Sequence, residues 1–466
     1  MFGLDTTLTV LLIICLLCAC FFEFINGFHD TANAVATVIY TNSLKPTVAV
    51  VYSGLLNFMG VLLGGIAVAM GIVNLLPVDA LIDANPYHGV AMILALLLSA
   101  IIWNFGTWYF GIPSSSSHTI IGSILGIGLA FYFLPGNVNS AVNWDKAKDT
   151  GLALLLSPLL GFSMAIIMMF LFKRFIKNDT IYKEPIPGKK PPIWIRMLLW
   201  LTCGLVSFFH GQNDGQKGVG LIMLILIAIL PGRFALDSSV NLQSVNSNIL
   251  AIAVLMTKAD TTVLSAKEKR MHAEILTRSN HFEQAISNKI YSTDVDLKDR
   301  FELRSDIVKI TKNADKLIAG GNLELSFNEI KKLGKEVKAT KALIEYAPLW
   351  VIIIISVCLG LGTMIGWKRI VKTVGEKIGK QHMSYAQGAS AEIVASIGIG
   401  LASWKGVPVS TTHMLSSGIA GSMVAKKGLK NLQKGTIKTI ALTWVLTLPV
   451  TILLSGGLFL LFRAIL

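Results

Sequence analysis

The stretch NGFHDTANAVA, residues 26–36, recurs in modified form as HGQNDGQKGVG, residues 210–220. The two stretches align without a gap, which places Asp30 opposite Asp214 and a glycine three residues before each of them. Each stretch lies within a long apolar run. A polar motif that recurs in such surroundings indicates that the chain contains two copies of one unit.

A second pair of related stretches follows the first pair. GIPSSSSH occupies residues 111–118, and GVPVSTTH occupies residues 406–413. The order of the motifs is the same in both halves, and their spacing agrees once the polar segment 233–345 is set aside. Each unit therefore carries one Asp motif and one Pro-Ser/Thr-His motif, a pattern typical of secondary transporters.

The composition indicates a chain that crosses a lipid bilayer several times. Of its 466 residues, 53% are hydrophobic and only 15% are charged, which is too apolar for an ordinary soluble protein. Apolar runs of about 20 residues, the length of a membrane-spanning helix, recur in both halves. We therefore predict an all-α polytopic membrane protein.

The net charge of +14 is concentrated in three short loops. Residues 173–196 and 426–438 each carry +5, and residues 368–380 carry +4. Basic loops beside membrane spans lie on the cytoplasmic side, so this distribution argues against nucleic-acid binding. With about five crossings per unit, both chain ends lie outside, and the odd number makes the second repeat inverted relative to the first.

These features divide the chain into membrane repeats and an insert. We expect two inverted repeats of about five crossings each, with discontinuous helices and re-entrant Ser/Thr-rich hairpins, and a helical extramembrane insert whose role and side stay open. The predicted segments are 1–172 for the first repeat, 173–196 for a basic cytoplasmic linker, 197–232 for the start of the second repeat, 233–345 for the insert and 346–466 for the remainder of the second repeat.

The Asp motifs contain candidate ligands for a cation or a proton. A carboxylate inside a membrane span is costly unless it faces a cavity, a cation or a proton. The neighbouring glycines and amides let the helix unwind and expose further oxygen ligands. Because the acid recurs at the matching place in both repeats, we predict a site for a coupling ion or metal at Asp30, Asn33 and Asp214.

The Pro-Ser/Thr-His motifs favour an anion as ligand. A proline followed by Ser and Thr residues is typical of a helix N-terminus, where free N–H groups and the helix dipole attract negative charge. Two such ends at membrane depth form a receptor for a small tetrahedral oxyanion, whereas the alternative is that the hydroxyls bond to the preceding turn. The predicted anion-binding residues are Ser115, Ser116, Ser117, Asn213, Ser410, Thr411 and Thr412.

For seven other polar residues the sequence leaves two interpretations open: they carry protons, or they have a structural role. They are Glu23, His29, His118, His210, Lys217, Glu392 and His413. The histidines of the two Pro-Ser/Thr-His motifs occupy equivalent positions, which favours a shared structural role. Lys217 either neutralises Asp214 as an ion pair or adds positive charge to the anion site.

Other classes of function fit the sequence less well. Ser, His and Asp are all present, but the G-x-S-x-G elbow of many serine hydrolases is absent, so we predict that the protein is not an enzyme. An open channel would not need two repeated half-helix sites. Hydroxyls and helix ends alone do not distinguish sulfate from phosphate as the tetrahedral oxyanion. Near pH 7, however, phosphate carries a proton that it can donate to Asp30 or Asp214, which favours phosphate over sulfate.

The motifs resemble those of one transporter family. NGFHDTANAVATVIYT, GIPSSSSHTIIG, HGQNDGQKGVGLIM, GTMIGWKRIVKTVGEKIG and GVPVSTTHMLSSGIAGSMV are similar to segments of the inorganic phosphate transporter (Pit/PiT) family, above all its low-affinity bacterial permeases. Asp30 and Asn33 match the family motif Gly-Ala-Asn-Asp-Val-Ala-Asn-Ala, whereas His29 stands where its first Asn is usual. In the second repeat Lys217 replaces the second Asn.

The resemblance implies secondary active import of inorganic phosphate across the bacterial inner (plasma) membrane. The similar permeases are proton-coupled and carry phosphate largely as a divalent-metal complex, so a metal such as Mg²⁺ is expected as co-substrate and no other cofactor is expected. His29 and Lys217 replace amide ligands of the sodium-coupled pattern, which favours protons. A sodium-coupled phosphate symporter and a sulfate or general oxyanion permease stay as alternatives, and assembly into a homo-oligomer is left open.

Overall fold

A computed structural model of the chain describes residues 3–76, 86–134, 142–186 and 188–466. Over these residues the protein is helical and forms no strand, which confirms the predicted all-α class. The chain folds into two compact units, one made of residues 3–225 and 347–466 and the other of Leu226–Tyr346. The predicted insert, 233–345, falls within the second unit.

The helices follow one another in the order of the two repeats and the insert. The first repeat forms α1 (Thr6–Tyr40), α2 (Pro46–Leu63), α3 (Ala67–Val73), α4 (Pro86–Tyr109), α5 (Ser116–Tyr132) and α6 (Trp144–Phe175). The second begins with α7 (Ile193–His210), a π-helical turn (Gly211–Gly215) and α8 (Gln216–Ile229). The insert region forms α9 (Pro231–Phe234), α10 (Leu242–Lys258), α11 (Ala266–Ala285), α12 (Asp299–Gly320) and α13 (Phe327–Lys341). The chain then forms α14 (Leu349–Met364), α15 (Lys368–Glu376), α16 (Tyr385–Trp404), α17 (Thr411–Lys427) and α18 (Lys434–Ile465).

Among the described residues, six helical segments are long and apolar enough to cross a bilayer. The pair α14 and α15, bent by 63°, makes a seventh if it is counted as one span. This confirms a multi-pass membrane protein. The helices α5 and α17 have only 17 residues each and are not among these segments. The inverted arrangement with ten crossings stays a prediction.

Equivalent helices of the two repeats pack reciprocally. Helix α5 packs on α18 while α17 packs on α6, and α2 packs on α7 while α1 packs on α14. Glycines allow the close approach: a Cβ atom at Gly60 would lie 2.1 Å from the carbonyl oxygen of Phe208, and one at Gly362 would lie 2.2 Å from that of Phe24. The same backbone contact thus occurs twice, in agreement with a duplicated unit.

The helices α5 and α17 begin in the same way. Gly111 and Gly406 precede them with φ angles of 67° and 66°, in the left-handed region that glycine adopts at little cost. Ser115 and Ser410 are the N-caps, and the side chain of each accepts a hydrogen bond from the backbone N–H three residues later. The local sequence therefore determines where each hairpin turns and where its second helix starts.

The Asp motifs remain helical. Helix α1 runs without a break through residues 26–36, so the unwinding that glycines and amides predicted at Asp30 is wrong. At Asp214 the backbone forms a π-helical turn, which widens the helix without opening it. Side chains, rather than freed carbonyl groups, are consequently the polar groups that the Asp motifs present to the interior.

The second unit has its own apolar core. Helices α10 to α13 contribute buried side chains that include Ile249, Phe282, Ile307 and Leu333. Helices α11 and α13 each begin with a capping box, in which a serine and a glutamate three residues later satisfy the N-terminal backbone groups.

Candidate functional site

The first Asp motif meets the start of α17 inside the first unit. Thr412 Oγ1 donates a hydrogen bond of 2.8 Å to Asp30 Oδ1, and Asn33 Nδ2 donates one of 3.0 Å to the same hydroxyl. His29 Nδ1 lies 2.9 Å from Asp30 Oδ1. Asp30 is only 2% exposed, yet its Oδ2 atom has no hydrogen-bond partner in the part of the chain that the structure describes. One carboxylate oxygen is therefore available to a ligand.

The second Asp motif contains an ion pair. Lys217 Nζ lies 2.5 Å from Asp214 Oδ2, and both side chains are buried. The ammonium also donates to Ser116 Oγ at 3.1 Å and to Ser117 Oγ at 2.8 Å. Ser116 Oγ in turn donates to Asp214 Oδ2 at 3.1 Å, and Thr411 Oγ1 lies 3.5 Å from it. Lys217 thus neutralises Asp214 and also contacts the start of α5.

His210 lies between the two aspartates. Its Nε2 atom is 3.6 Å from Asp30 Oδ2 and 3.7 Å from Asp214 Oδ2, while its Nδ1 atom is 2.9 Å from Asn57 Oδ1. One ligand atom from each of Asp30, His210 and Asp214 lies within 4.8 Å of the other two. Two carboxylates and an imidazole at this separation are a donor set that suits a divalent cation, although Asp214 Oδ2 already contacts the Lys217 ammonium.

Three of the predicted anion-binding side chains have structural partners. Ser115 and Ser410 cap their helices. The Asn213 amide donates to Ser403 Oγ and to the carbonyl of Val407 and accepts from the N–H of Val409, so it holds the segment in front of α17. The other four predicted residues, Ser116, Ser117, Thr411 and Thr412, lie at the first turns of α5 and α17 and contact the Asp motifs, and Ser117 Oγ also donates to the carbonyl of Val409 at 2.6 Å.

The histidines at the ends of the Pro-Ser/Thr-His motifs contact each other, with their rings tilted by 40°. The ring centroids of His118 and His413 are 4.5 Å apart, and Trp444 covers His413 at 4.0 Å. His118 Nδ1 also lies 2.9 Å from Ser115 Oγ. These contacts join the starts of α5 and α17, the kind of structural role that their equivalent positions favoured. His29 Nε2, by contrast, reaches Ser114 Oγ at 3.2 Å.

The two buried glutamates have different surroundings. Glu23 accepts a hydrogen bond from Asn26 through Oε1, and its Oε2 atom lies so close to α8 that a Cβ atom at Gly218 would be 2.5 Å away. Glu392 accepts short hydrogen bonds from the hydroxyls of Thr37 and Thr202. Glu392 therefore joins α16 to both Asp-motif helices, α1 and α7.

Sequence reasoning missed Asn57 and Trp444. Asn57 holds the imidazole of His210, and Trp444 donates through Nε1 to the carbonyl of Pro113 in addition to covering His413. A single amide within an otherwise apolar span was the available signal for Asn57. An aromatic residue in an apolar span, such as Trp444, does not indicate a functional site, because most aromatic residues in spans pack against lipid or other helices.

The fold and this site define a class of membrane proteins: helical multi-pass transporters with a polar site at the starts of short interior helices. Residues 26–455 match the profile of the phosphate transporter family, and the chain belongs to this family. The resemblance seen in the motifs is thereby confirmed.

Known relatives cover nearly the whole chain. It is 41% identical to "Low-affinity inorganic phosphate transporter PitA" of Escherichia coli (strain K12), over 98% of this chain and 97% of the relative, and equally similar, with the same coverage, to PitB of that strain. A "Probable low-affinity inorganic phosphate transporter" of Bacillus subtilis (strain 168) is 29% identical, over 96% of each chain. These are names of transporters rather than enzymes, and they agree with a bacterial membrane location.

One solved structure has a similar fold. It is described as "The sodium-dependent phosphate transporter", with a TM-score of 0.55 and 19% identity over 98% of this chain and all of that chain. At this identity the likeness concerns the fold alone.

Proposed function

We propose that this protein imports inorganic phosphate together with a divalent cation, in symport with protons. The observation that carries the proposal is the convergence of Asp30, His210 and Asp214 beside the N-terminal ends of α5 and α17. Such a site offers ligands for a cation and for an anion side by side.

The anion would bind at the helix ends. Backbone N–H groups, the positive end of the helix dipole and the hydroxyls of Ser116 and Thr411 all favour a tetrahedral oxyanion. A divalent cation held by Asp30 and His210 would neutralise the charge of the phosphate, because an uncompensated dianion is costly at membrane depth. The metal is thus cargo in this proposal, not a resident cofactor.

The arrangement supports protons over sodium as the coupling ion. Lys217 occupies the place beside Asp214 where a monovalent metal ion would lie. Phosphate also carries an exchangeable proton near pH 7, which sulfate lacks.

Radiolabelled phosphate uptake into proteoliposomes tests the proposal. Sodium-free vesicles with an imposed pH gradient are compared with Mg²⁺ present, with Mg²⁺ chelated, and with excess sulfate. We expect uptake that needs Mg²⁺, collapses with the pH gradient and ignores sulfate. Uptake that appears only when sodium is added would replace the proton by sodium, and uptake blocked by sulfate and indifferent to Mg²⁺ would contradict the metal-phosphate cargo.

A further inference from the structure

Each Asp motif, together with the Ser or Thr residues that it contacts, forms one half of the polar site, which we call a half-site. The two half-sites have the same pattern of hydrogen bonds. Asn33 and Lys217 occupy equivalent positions, each three residues after its aspartate. Asn33 Nδ2 donates to Thr412 Oγ1 at 3.0 Å, and Lys217 Nζ donates to Ser117 Oγ at 2.8 Å. Thr412 and Ser117 are equivalent in turn, since each precedes the histidine of its motif. Each Asp motif is therefore connected to the hairpin of the other repeat.

The half-sites differ in charge. At the second, the Lys217 ammonium contacts three oxygen atoms, Asp214 Oδ2, Ser116 Oγ and Ser117 Oγ, at 2.5 to 3.1 Å. A carboxylate and two hydroxyls are also the kind of oxygen ligands that a small hard cation takes. The second half-site is thus already occupied by a positive charge that belongs to the chain.

The first half-site has similar oxygen ligands, but the neutral amide of Asn33 stands where the second has the Lys217 ammonium, and the His29 ring lies 2.9 Å from Asp30 Oδ1. Asp30 Oδ2 and Asn33 Oδ1 are buried, and neither has a hydrogen-bond partner among the residues that the structure describes, whereas the second half-site has one such oxygen, Asp214 Oδ1. Buried oxygen atoms of this kind are normally satisfied by a donor or an ion. His210 Nε2, 3.6 Å from Asp30 Oδ2, is the nearest additional ligand.

We infer that Lys217 is a tethered cation that fills the second of two equivalent cation half-sites and leaves the first, at Asp30, Asn33 and Thr412, for one mobile cation. The inference rests on the proposed function, because it takes the mobile cation to be the one that is transported together with phosphate. Because the chain supplies one positive charge itself, each transport cycle needs one cation fewer than a symmetric pair of half-sites would need.

Replacing Lys217 by the residue at its equivalent position tests the inference. Purified wild-type protein and the Lys217→Asn variant are dialysed against Mg²⁺ or against Na⁺, with phosphate present, and the bound cations are counted per chain. We expect one bound cation in the wild type and two in the variant. The matched control is Lys177→Asn in the exposed basic linker, which should bind as many cations as the wild type.

If Lys217→Asn does not fold, a variant in which the residues at positions 33 and 217 are exchanged tests the inference instead. Asn33→Lys alone should bind no cation, whereas Asn33→Lys combined with Lys217→Asn should again bind one, now at Asp214. Equal counts in the wild type and the foldable Lys217 variant, or failure of the exchange variant to recover binding, would overturn the inference. Mg²⁺-independent uptake by the wild type would contradict the proposed cargo, yet it would leave this difference in count between variants intact.

Discussion

Asp30 and Asp214 occupy equivalent positions but have different partners. Asp214 has a fixed counter-charge in Lys217, whereas Asp30 receives its hydrogen bonds from the Thr412 hydroxyl and the His29 ring. A buried carboxylate without a fixed counter-charge is unfavourable unless a ligand compensates it. At the scale of single residues, Asp30 is therefore the carboxylate that is open to a cation.

The Asp30→Asn variant should lose phosphate uptake while the chain stays in the membrane. Asparagine can still accept the hydrogen bond from Thr412, so the packing is kept, but the negative charge for a cation is gone. We expect uptake to fall at least about tenfold, the equivalent of roughly 1.4 kcal/mol of binding. Initial uptake rates, normalised to protein amount, measure the effect. The exposed Asp179→Asn change is the control, and normal uptake by Asp30→Asn would remove Asp30 from the site.

At the scale of helices, local signals were readable in the sequence and long-range partners were not. Apolar runs located the long spans, and Gly, Pro and Ser residues located the starts of α5 and α17. Glu392 could be recognised as a buried acid, but its partners Thr37 and Thr202 lie 355 and 190 residues away along the chain. The unwinding expected in α1 did not occur because side chains satisfy the polar interior without breaking the helix.

The close crossing of α2 and α7 depends on Gly60. A methyl group there would approach the Phe208 carbonyl oxygen to 2.1 Å, and a backbone atom cannot move aside as a side-chain end can. We expect Gly60→Ala to reduce the amount of folded protein and its melting temperature, at a cost of about 1–3 kcal/mol. Gly106→Ala in α4 is the matched control because a Cβ atom there has no neighbour within 4 Å. Equal melting temperatures for the two variants would contradict the tight crossing.

The start of α13 should lose stability in acid. Hydrogen bonds from the Ser326 hydroxyl and backbone N–H hold the pKa of Glu329 below its ordinary value of 4.5. Because the pKa is lower in the folded state, the stabilisation is fully present above pH 4.5 and disappears as the pH falls through the lowered value. Thermal unfolding followed by circular dichroism between pH 7 and pH 3 should therefore show a smaller acid effect for Glu329→Gln than for the wild type.

The control for this effect is Glu283→Gln, since Glu283 is exposed in the last turn of α11 and takes no part in the capping box at its start. Its acid response should equal that of the wild type. An equal response of Glu329→Gln would show that the capping box contributes nothing to the pH dependence.

At the scale of the whole molecule, the first unit is a duplicated structure with an asymmetric centre. The matching glycine contacts, the matching helix starts and the reciprocal packing all follow from the repeat. The departures, Lys217 opposite Asn33 and His210 between the two aspartates, are concentrated where the two repeats meet the polar site. A duplicated fold thus supplies two helix ends of the same design, and single substitutions give the two halves different charges.

The orientation of the two repeats in the membrane can be measured with single cysteines. Five crossings per repeat predict that residues 3 and 466 lie outside and that the basic segments around residues 177 and 430 lie in the cytoplasm. In a background without the five native cysteines, Gly3→Cys and Leu466→Cys should react with a membrane-impermeant maleimide in intact cells. Lys177→Cys and Lys430→Cys should react only after permeabilisation. Reaction of positions 3 and 177 from the same side would mean an even number of crossings in the first repeat, and the two repeats would then be parallel rather than inverted.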